Sequence, residues 1–291
     1  MLLAFGEVLF DIFPDYTRLG GAPFNFHYHL SRLKQRCALL SRIGEDANGR
    51  RILDFFDRNG LITDYIQVDP LRPTGTVKVD LDSASNPRFT IVKDVAYDNI
   101  LLENNLLDAD IELIYYGTLA QRSSNSANTW LKLLQRYGAT ATALYDINLR
   151  PGIGRAEVID RSLCACDILK VNDEELLRLG GILSHDGPDR ALIDYLHDAY
   201  DIEWICVTRG ADGSELYTRE GKYSAGVNMM DNIIDPVGAG DAFCAIIALG
   251  YLMGWAPQCV VERATGFASA VCTIAGAIPA DDGFYAPFKS W

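Results

Sequence analysis

The segment DPVGAGD at residues 235–241 joins residue types suited to phosphoryl chemistry, and the apolar run AFCAIIALGYLM follows it directly. A glycine-bracketed turn at a helix start leaves backbone N–H groups free, and with the positive end of the helix dipole they form an anion site. The N–H groups of Gly238, Ala239 and Gly240 would stabilise charge on a transferring phosphoryl group. Asp241, which the dipole is expected to hold ionised, would accept the proton of an attacking hydroxyl. A purely structural helix cap would have the same local pattern.

Two other nucleotide-binding patterns do not fit this sequence. It contains no G-x-x-x-x-G-K-[ST] motif, and a G-x-G-x-x-G motif in this turn would need a glycine where Phe243 stands. These mismatches argue against a Walker-type site and against an NAD-dependent oxidoreductase.

The DPVGAGD segment closely resembles the D-[TP]-x-G-A-G-D signature of ribokinase-like sugar kinases. Further segments match motifs of this family in the family's order, across nearly the whole chain. They are GGAPFN at 20–25 with Gly6-Glu7 and Asp11 before it, NDEE at 172–175, and Thr208-Arg209-Gly210 with Gly213. The first matches the sugar-binding signature, the second the N-x-x-E motif and the third the nucleotide loop. The resemblance therefore implies an ATP-dependent sugar kinase.

The resemblance also implies a role for each matching residue. Asp241 is the catalytic base, with Gly238, Ala239 and Gly240 as the anion hole. The sugar hydroxyls are bound by Asp11, Gly21 and Asn25. Carboxylate and amide groups are suitable hydrogen-bond partners for a polyol.

On the nucleotide side, the resemblance implies that Asn172 and Glu175 organise Mg²⁺ near the phosphates, Glu175 through water. Mg²⁺ is usually held through few protein ligands. Thr208, Gly210 and Gly213 line the nucleotide site. Ala268 is a candidate for an adenine contact, and a packed position in a helix explains it equally well.

Two segments in the middle of the chain resemble bacterial fructokinases: GTLAQR at 117–122 and DINLRP at 146–151. Arg122 and Arg150 follow strands and would supply cations in a cleft that holds substrate and ATP phosphates. Either arginine could instead form a surface ion pair. Kinases of 2-keto-3-deoxygluconate share the D-x-N-x-R segment, so that acid is the alternative substrate to fructose or a related ketose.

One departure from the family pattern concerns a monovalent cation. The family often binds one beside the signature loop, and Pro236 stands where a threonine is common. Proline offers neither a hydroxyl nor an N–H, which argues against K⁺ activation, although backbone carbonyls remain as ligands. Phe24 either shapes the sugar pocket or packs under the lid.

The elements that must position these residues alternate between strand and helix from about residue 110 onward. Strands are predicted at 112–117, 141–148, 167–172 and 203–210, and helices at 125–138, 156–167, 172–181, 240–253 and 258–275. Such alternation predicts a three-layer α/β/α fold with a central, mostly parallel sheet, as the resemblance also implies. The segment GTVKVDLDSASNPRFTIV at 75–92 predicts an antiparallel hairpin. With it, segments near 10–20 and 72–100 would form a β-lid on a single domain spanning 1–291, through which family members pair as dimers.

Composition excludes several partners. The net charge of −13 disfavours nucleic acid, which is bound through clustered Lys and Arg. No stretch approaches the roughly 20 apolar residues of a membrane span. Seven scattered cysteines without metal-ligand spacing are typical of a reducing cytoplasm. A catalytically inactive sugar-binding regulator with the same fold remains the alternative of a different class.

Overall fold

The computed structural model describes residues 1–81, 87–103, 109–150, 152–185, 187–227 and 233–291, with backbone alone at 80, 81 and 87–89. Its strands are β1 Leu2–Phe5, β2 Leu9–Ile12, β3 Thr17–Gly20, β4 Cys37–Gly44, β5 Ile66–Asp69, β6 Gly75–Leu81, β7 Pro87–Ile91, β8 Leu113–Gly117, β9 Thr142–Asp146, β10 Ile168–Asn172, β11 Trp204–Thr208, β12 Ser214–Thr218 and β13 Gly221–Ala225. Its helices are α1 Ala22–Arg32, α2 Ala47–Arg58, α3 Ser124–Tyr137, α4 Ala156–Leu163, α5 Asp173–Ile182, α6 Asp189–Tyr200, α7 Ala239–Leu252 and α8 Pro257–Val271.

The larger sheet has the strand order β13-β12-β11-β10-β9-β8-β1-β4-β5 within the described residues. The run from β11 to β5 is parallel, and β12 and β13 extend it by antiparallel pairing. Alternate side chains of a strand point to opposite faces of the sheet. On β1, Leu3 and Phe5 therefore join the core under α3–α6. Leu2 and Ala4 join the core on the other face, under α1, α2, α7 and α8. The predicted three-layer fold is confirmed.

The smaller sheet has the order β3-β2-β6-β7. It combines two antiparallel hairpins through a parallel pairing of β2 with β6, so the segments predicted for the lid do form one sheet. The 3₁₀ turn Ala96–Asn99 is buried in the main core and does not extend this sheet, in contrast to the predicted boundary at 100. The turn between β6 and β7, at 82–86, lies outside the described residues.

Local chemistry explains where the helices near the site begin. The α5 helix starts with a capping box, in which Asn172 accepts from the N–H of Glu175 and Glu175 accepts from the N–H of Asn172. At the start of α7, Gly238 takes a left-handed backbone with φ 82°. Of the helices in the described ranges, none is long and apolar enough to cross a membrane.

Candidate active site

The start of α7 lies beside the parallel strands β9 and β10, since Lys170 of β10 approaches Gly240 and the charge of Asp146 of β9 acts on Asp241. The amide Nδ2 of Asn25, on α1, donates to the carboxylate Oδ2 of Asp241, on α7, over 2.7 Å. Both side chains are buried. The sugar-binding motif and the signature helix, 216 residues apart in sequence, are therefore joined side chain to side chain.

The turn before α7 is shaped by close packing against the C-terminal part of the chain. A Cβ on Gly238 would lie 2.3 Å from the Cβ of Ala277, and its positive φ disfavours any L side chain. A Cβ on Gly240 would lie 3.0 Å from the Nζ of Lys170. The first turn of α7 thus presents the backbone N–H groups of Gly238 and Gly240 with a lysine ammonium beside them, an arrangement suited to an anion. The N–H of Ala239 donates to the carbonyl oxygen of Pro236 over 3.3 Å.

The carboxyl group of Asp241 has a strongly perturbed pKa. Burial raises its pKa to about 7, and the negative charge of Asp146 adds to the rise. The hydrogen bond from Asn25 and the charges of Lys170 and Arg150 lower it. The helix start therefore does not hold the pKa of Asp241 below its ordinary value, because burial raises it. A carboxylate with a pKa near 7 is well matched to a general base at neutral pH.

A buried ion pair lies behind the turn, and sequence reasoning missed it. The Nζ of Lys170, on β10, lies 3.1 Å from the Oδ1 of Asp146 at the end of β9, and the hydroxyl of Tyr115 donates to Asp146 Oδ2 over 2.9 Å. Burial lowers the pKa of Lys170, but the negative charges around it, chiefly those of Asp146 and Glu175, and its hydrogen bond to Asp146 together offset this, so the pKa is raised. A lysine within the otherwise apolar strand DILKVN was the available signal, because buried lysines are rare unless paired.

Arg150 brings a positive charge to the neighbourhood of Glu7 and Asp11. Asn148, two residues earlier, has φ 40°, a left-handed conformation that asparagine tolerates better than most residues. This turn ends the extended chain after β9. The charge of Arg150 lowers the pKa of Glu7 and of Asp11, but burial dominates and raises these pKa values to about 7 and about 6.

The loop that precedes α1 packs directly on Glu7. A Cβ on Gly21 would lie 2.6 Å from the carbonyl oxygen of Glu7, and Gly21 has φ 113°. Glu7 itself is buried and accepts a hydrogen bond from the N–H of Ala22. Glycine at 21 therefore allows the sugar motif to approach the Gly6-Glu7 segment.

The N-x-x-E motif connects the start of α5 to the arginine segment. Besides closing the capping box, the carboxylate of Glu175 accepts from the N–H of Leu149, next to Arg150, over 2.9 Å. Each oxygen keeps a second lone pair. In the described part of the chain no three His, Cys, Asp or Glu side chains form a ready-made metal cluster. The oxygen atoms of Asn172 and Glu175, which the capping box holds together, nevertheless fit Mg²⁺, a hard cation that keeps several waters.

The residues predicted to bind nucleotide lie along the next strand end. Thr208 pairs in register with Asn172 across β11 and β10. Gly210 and Gly213 flank the short turn that leads into β12. Ala268 is partly buried on α8 and packs against the core under that helix, so the structure brings it into packing contacts rather than into an open pocket.

Arg122 is not the free cation that its position suggested. It forms a bidentate ion pair with Asp98, at 2.7 and 2.9 Å, in which Asp98 is buried and Arg122 is partly buried. The ion-pair alternative is therefore observed, although the pair is partly buried rather than on the open surface. Arg122 also lines a cavity of about 400 Å³ whose wall includes Arg72, Lys93 and Arg155.

Phe24 and the nearby histidines serve packing. Phe24 is fully buried against Phe55 and Phe56 of α2. His27 stacks on Phe56, and His29 contacts Tyr285. Burial lowers the pKa of both histidines to about 3, so they remain neutral at physiological pH.

An α/β sandwich with a small β-sheet beside it, and with a buried carboxyl group and a glycine turn at one helix start, has the architecture of the ribokinase-like sugar kinases. The family model of the pfkB carbohydrate kinases matches residues 16–282, and the chain belongs to that family. It is a phosphotransferase that acts on an alcohol group of a sugar.

Three similar proteins illustrate this membership. The chain is 29% identical over 280 residues to a fructokinase of Vibrio alginolyticus, covering 91% of this chain and 89% of that protein. It is 25% identical over 265 residues to a 5-dehydro-2-deoxygluconokinase of Geobacillus thermodenitrificans, covering 87% and 78%. A crystal structure of fructokinase from Xylella fastidiosa with bound ATP superposes with a TM-score of 0.84 at 22% identity, over 97% of this chain and 94% of that one.

Proposed function

We propose that this protein transfers the γ-phosphoryl group of ATP to a hydroxyl of fructose or a closely related ketose, with Asp241 as the base. The observation that carries the proposal is the 2.7 Å hydrogen bond between Asn25 and Asp241. It sets the predicted sugar ligand directly beside the predicted base. A hydroxyl held by Asn25 would therefore lie within reach of the Asp241 carboxylate.

The chemistry follows from these positions. Asp11, Gly21, Asn25 and Arg150 hold the sugar beneath the small sheet. Asp241 accepts the hydroxyl proton as the sugar oxygen bonds to the γ-phosphorus, and the bond from that phosphorus to the β,γ-bridging oxygen breaks, releasing ADP. The backbone N–H groups of residues 238–240 stabilise the charge on the transferring group.

The nucleotide side is assigned by the same motifs. The nucleotide site would be lined by Thr208, Gly210 and Gly213. Ala268 would lie near the adenine ring of ATP. Asn172 and Glu175 would hold Mg²⁺ through its waters, and the ion would neutralise charge on the phosphates. The role of this chain is then to fix those waters, because the capping box already locks both side chains in place.

The experiment that tests the proposal is a coupled ADP-release assay. Fructose, tagatose, ribose, glucose, 2-keto-3-deoxygluconate and adenosine are offered with ATP and Mg²⁺, each with and without K⁺. We expect the highest kcat/KM for fructose or tagatose. Background ADP release with every sugar would contradict the kinase proposal and favour an inactive sugar-binding regulator. K⁺ dependence would show that Pro236 does not prevent cation activation.

An acidic sugar such as 2-keto-3-deoxygluconate is the second candidate. The observation in its favour is the cavity whose lining includes the four cationic side chains of Arg72, Lys93, Arg122 and Arg155. If the acid is the substrate, the ADP-release assay should give a kcat/KM for 2-keto-3-deoxygluconate well above that for fructose.

We also propose that the chain is a single domain that works in the cytoplasm and pairs as a homodimer through the small sheet, which serves as a lid. Strands β3 and β7 are the edges of that sheet, and Tyr16, in the turn before β3, is exposed. Pairing would cover such edges. Light scattering after size exclusion tests this, since a monomeric mass at micromolar concentration would contradict it.

A further inference from the structure

Arg18 lies on the lid sheet and reaches the signature loop. It is on β3, directly opposite Asp11 of β2 in the strand register, and cross-strand partners share one face of a sheet. Its charge lowers the pKa of Asp11 against the larger effect of burial. Its Nη1 donates to Asp235 Oδ2 over 2.6 Å. One lid arginine thus faces the sugar side and also contacts the loop that leads to the anion hole.

The Asp235 carboxylate is the point where that loop is tied together. Its Oδ1 accepts from the N–H of Val237 over 3.1 Å, within the loop. Its Oδ2 accepts from the N–H of Gly276 over 3.0 Å. Gly276 precedes Ala277, the residue that packs on Gly238. Movement of this carboxylate would therefore shift both walls of the anion hole.

The guanidinium is held in place by more than the ion pair. It lies over the rings of Phe13 and Tyr16, at 5.5 and 5.0 Å from their centroids. The two rings stack on each other at 4.4 Å. Exposed ion pairs usually contribute little because they must order two long side chains, but here the aromatic turn has already ordered the arginine.

We propose that Arg18 is a positioning residue for phosphoryl transfer, which couples the lid to the anion hole by pairing with Asp235. This inference rests on the proposed kinase function. When the lid lies over the cleft, Arg18 orients the Asp235 carboxylate, which in turn holds the turn at Gly238. Arg18 acts through Asp235 and does not itself need to touch the substrate.

The first test is a double-mutant cycle with Arg18→Gln, Asp235→Asn and the combined variant. We expect each single variant to lower kcat about tenfold, the equivalent of about 1.4 kcal/mol, and the double variant to lower it by about the same factor. The KM for the sugar should change less than kcat. Additive losses, about a hundredfold in the double variant, or wild-type kcat in Arg18→Gln would overturn the proposal.

Arg51→Gln is the matched control. Arg51, on α2, also ties the lid to the body of the protein, through a hydrogen bond to Thr17 and contact with Phe10, but it does not contact Asp235. We expect nearly wild-type kcat in this variant. An equal loss in Arg51→Gln and Arg18→Gln would attribute the effect to lid attachment in general and overturn a specific role for Arg18.

Chemical rescue separates positioning from general destabilisation. Methylguanidinium chloride should raise the kcat of Arg18→Ala several-fold above its value in sodium chloride of equal ionic strength. It should leave the kcat of Asp235→Asn unchanged. An equal response of Arg18→Ala to both salts would contradict the specific pairing. Melting temperatures of all variants show whether each one folds.

A binding measurement distinguishes a failure of the proposed role of Arg18 from a failure of the proposed kinase function. The Kd of a non-hydrolysable ATP analogue with Mg²⁺ is measured by calorimetry across the same cycle. We expect it to rise several-fold in each single variant and no further in the double variant. A wild-type protein that phosphorylates no sugar but shows this coupling would refute the kinase proposal alone. An active wild type whose variants bind and turn over normally would refute the role of Arg18 alone.

Discussion

Replacing Asp241 with asparagine should remove activity and raise stability at the same time. Asparagine keeps the shape of the side chain and an oxygen that can accept from Asn25, but it cannot take a proton. Loss of a general base costs roughly 10²–10⁴-fold in rate. We therefore expect kcat of Asp241→Asn to fall at least ~10²-fold, while binding of the sugar survives.

The expected gain in stability follows from the pKa of the same group. The pKa of Asp241 is about 7 in the folded protein, against an ordinary value of 3.8. At 1.36 kcal/mol per pKa unit, ionising this carboxylate in place costs up to about 4 kcal/mol. Because the pKa is raised on folding, the wild type loses this stability as the pH rises from about 4 to 7. The advantage of the asparagine variant should therefore grow over that range and level off above it.

Denaturant unfolding at several pH values between 4.5 and 8 measures this advantage, alongside the ADP-release assay. Asp54→Asn is the control, since Asp54 is exposed on α2 and its replacement changes the net charge equally. Normal turnover in Asp241→Asn would refute the base assignment. A stability difference that does not change with pH would refute the view that burial raises the pKa of Asp241.

Three further outcomes follow from the contacts of the site and the core. Asn25→Ala removes a hydrogen bond that lowers the pKa of Asp241. The pKa of Asp241 should therefore rise, and the acid limb of the pH profile of kcat/KM should move above pH 7. An acid limb that stays in place or moves to lower pH would contradict this. Lys170→Met leaves Asp146 buried without its cation, which should cost about 3–5 kcal/mol of folding free energy and lower turnover. Adding Asp146→Leu should restore most of the stability but should not restore turnover in the assay. Burial lowers the pKa of His27 to about 3. Because of this group, the free energy of unfolding of the wild type should fall by about 1.4 kcal/mol per pH unit below pH 6.5. His27→Leu should make this pH dependence less steep, as measured by urea unfolding.

The parts of the fold that could be predicted are those with local signals. The capping box of α5 needs only the spacing of Asn172 and Glu175, and the hairpin at 75–92 needs only alternation and turn residues. The start of α7 follows from the glycines of its signature. Each of these features arises within a few residues of chain, so their interpretation did not depend on the tertiary structure.

The parts that could not be predicted depend on what distant segments bring together. Arg18 and Asp235 lie 217 residues apart, and no local pattern marks either as a partner of the other. Arg122 had a plausible position at a strand end, but Asp98 neutralises its charge. The raised pKa of Asp241 depends on burial, which a helix-start pattern does not report.

The charges around Arg150 bear on the choice between a ketose and a sugar acid. Its charge acts on Glu7, Asp11 and Asp241, three carboxyl groups whose pKa values burial raises to about 6 or 7. Hydroxyl groups of a neutral sugar would donate to these carboxylates and stabilise their charged forms. A substrate carboxylate would instead compete with them for one cation. In the neighbouring cavity Arg72 forms ion pairs with Asp69 and Asp94, and Arg122 is paired with Asp98. Two of the four cationic side chains that line this cavity are therefore already neutralised by carboxylates. The electrostatics of the site therefore favour a neutral ketose over an acid.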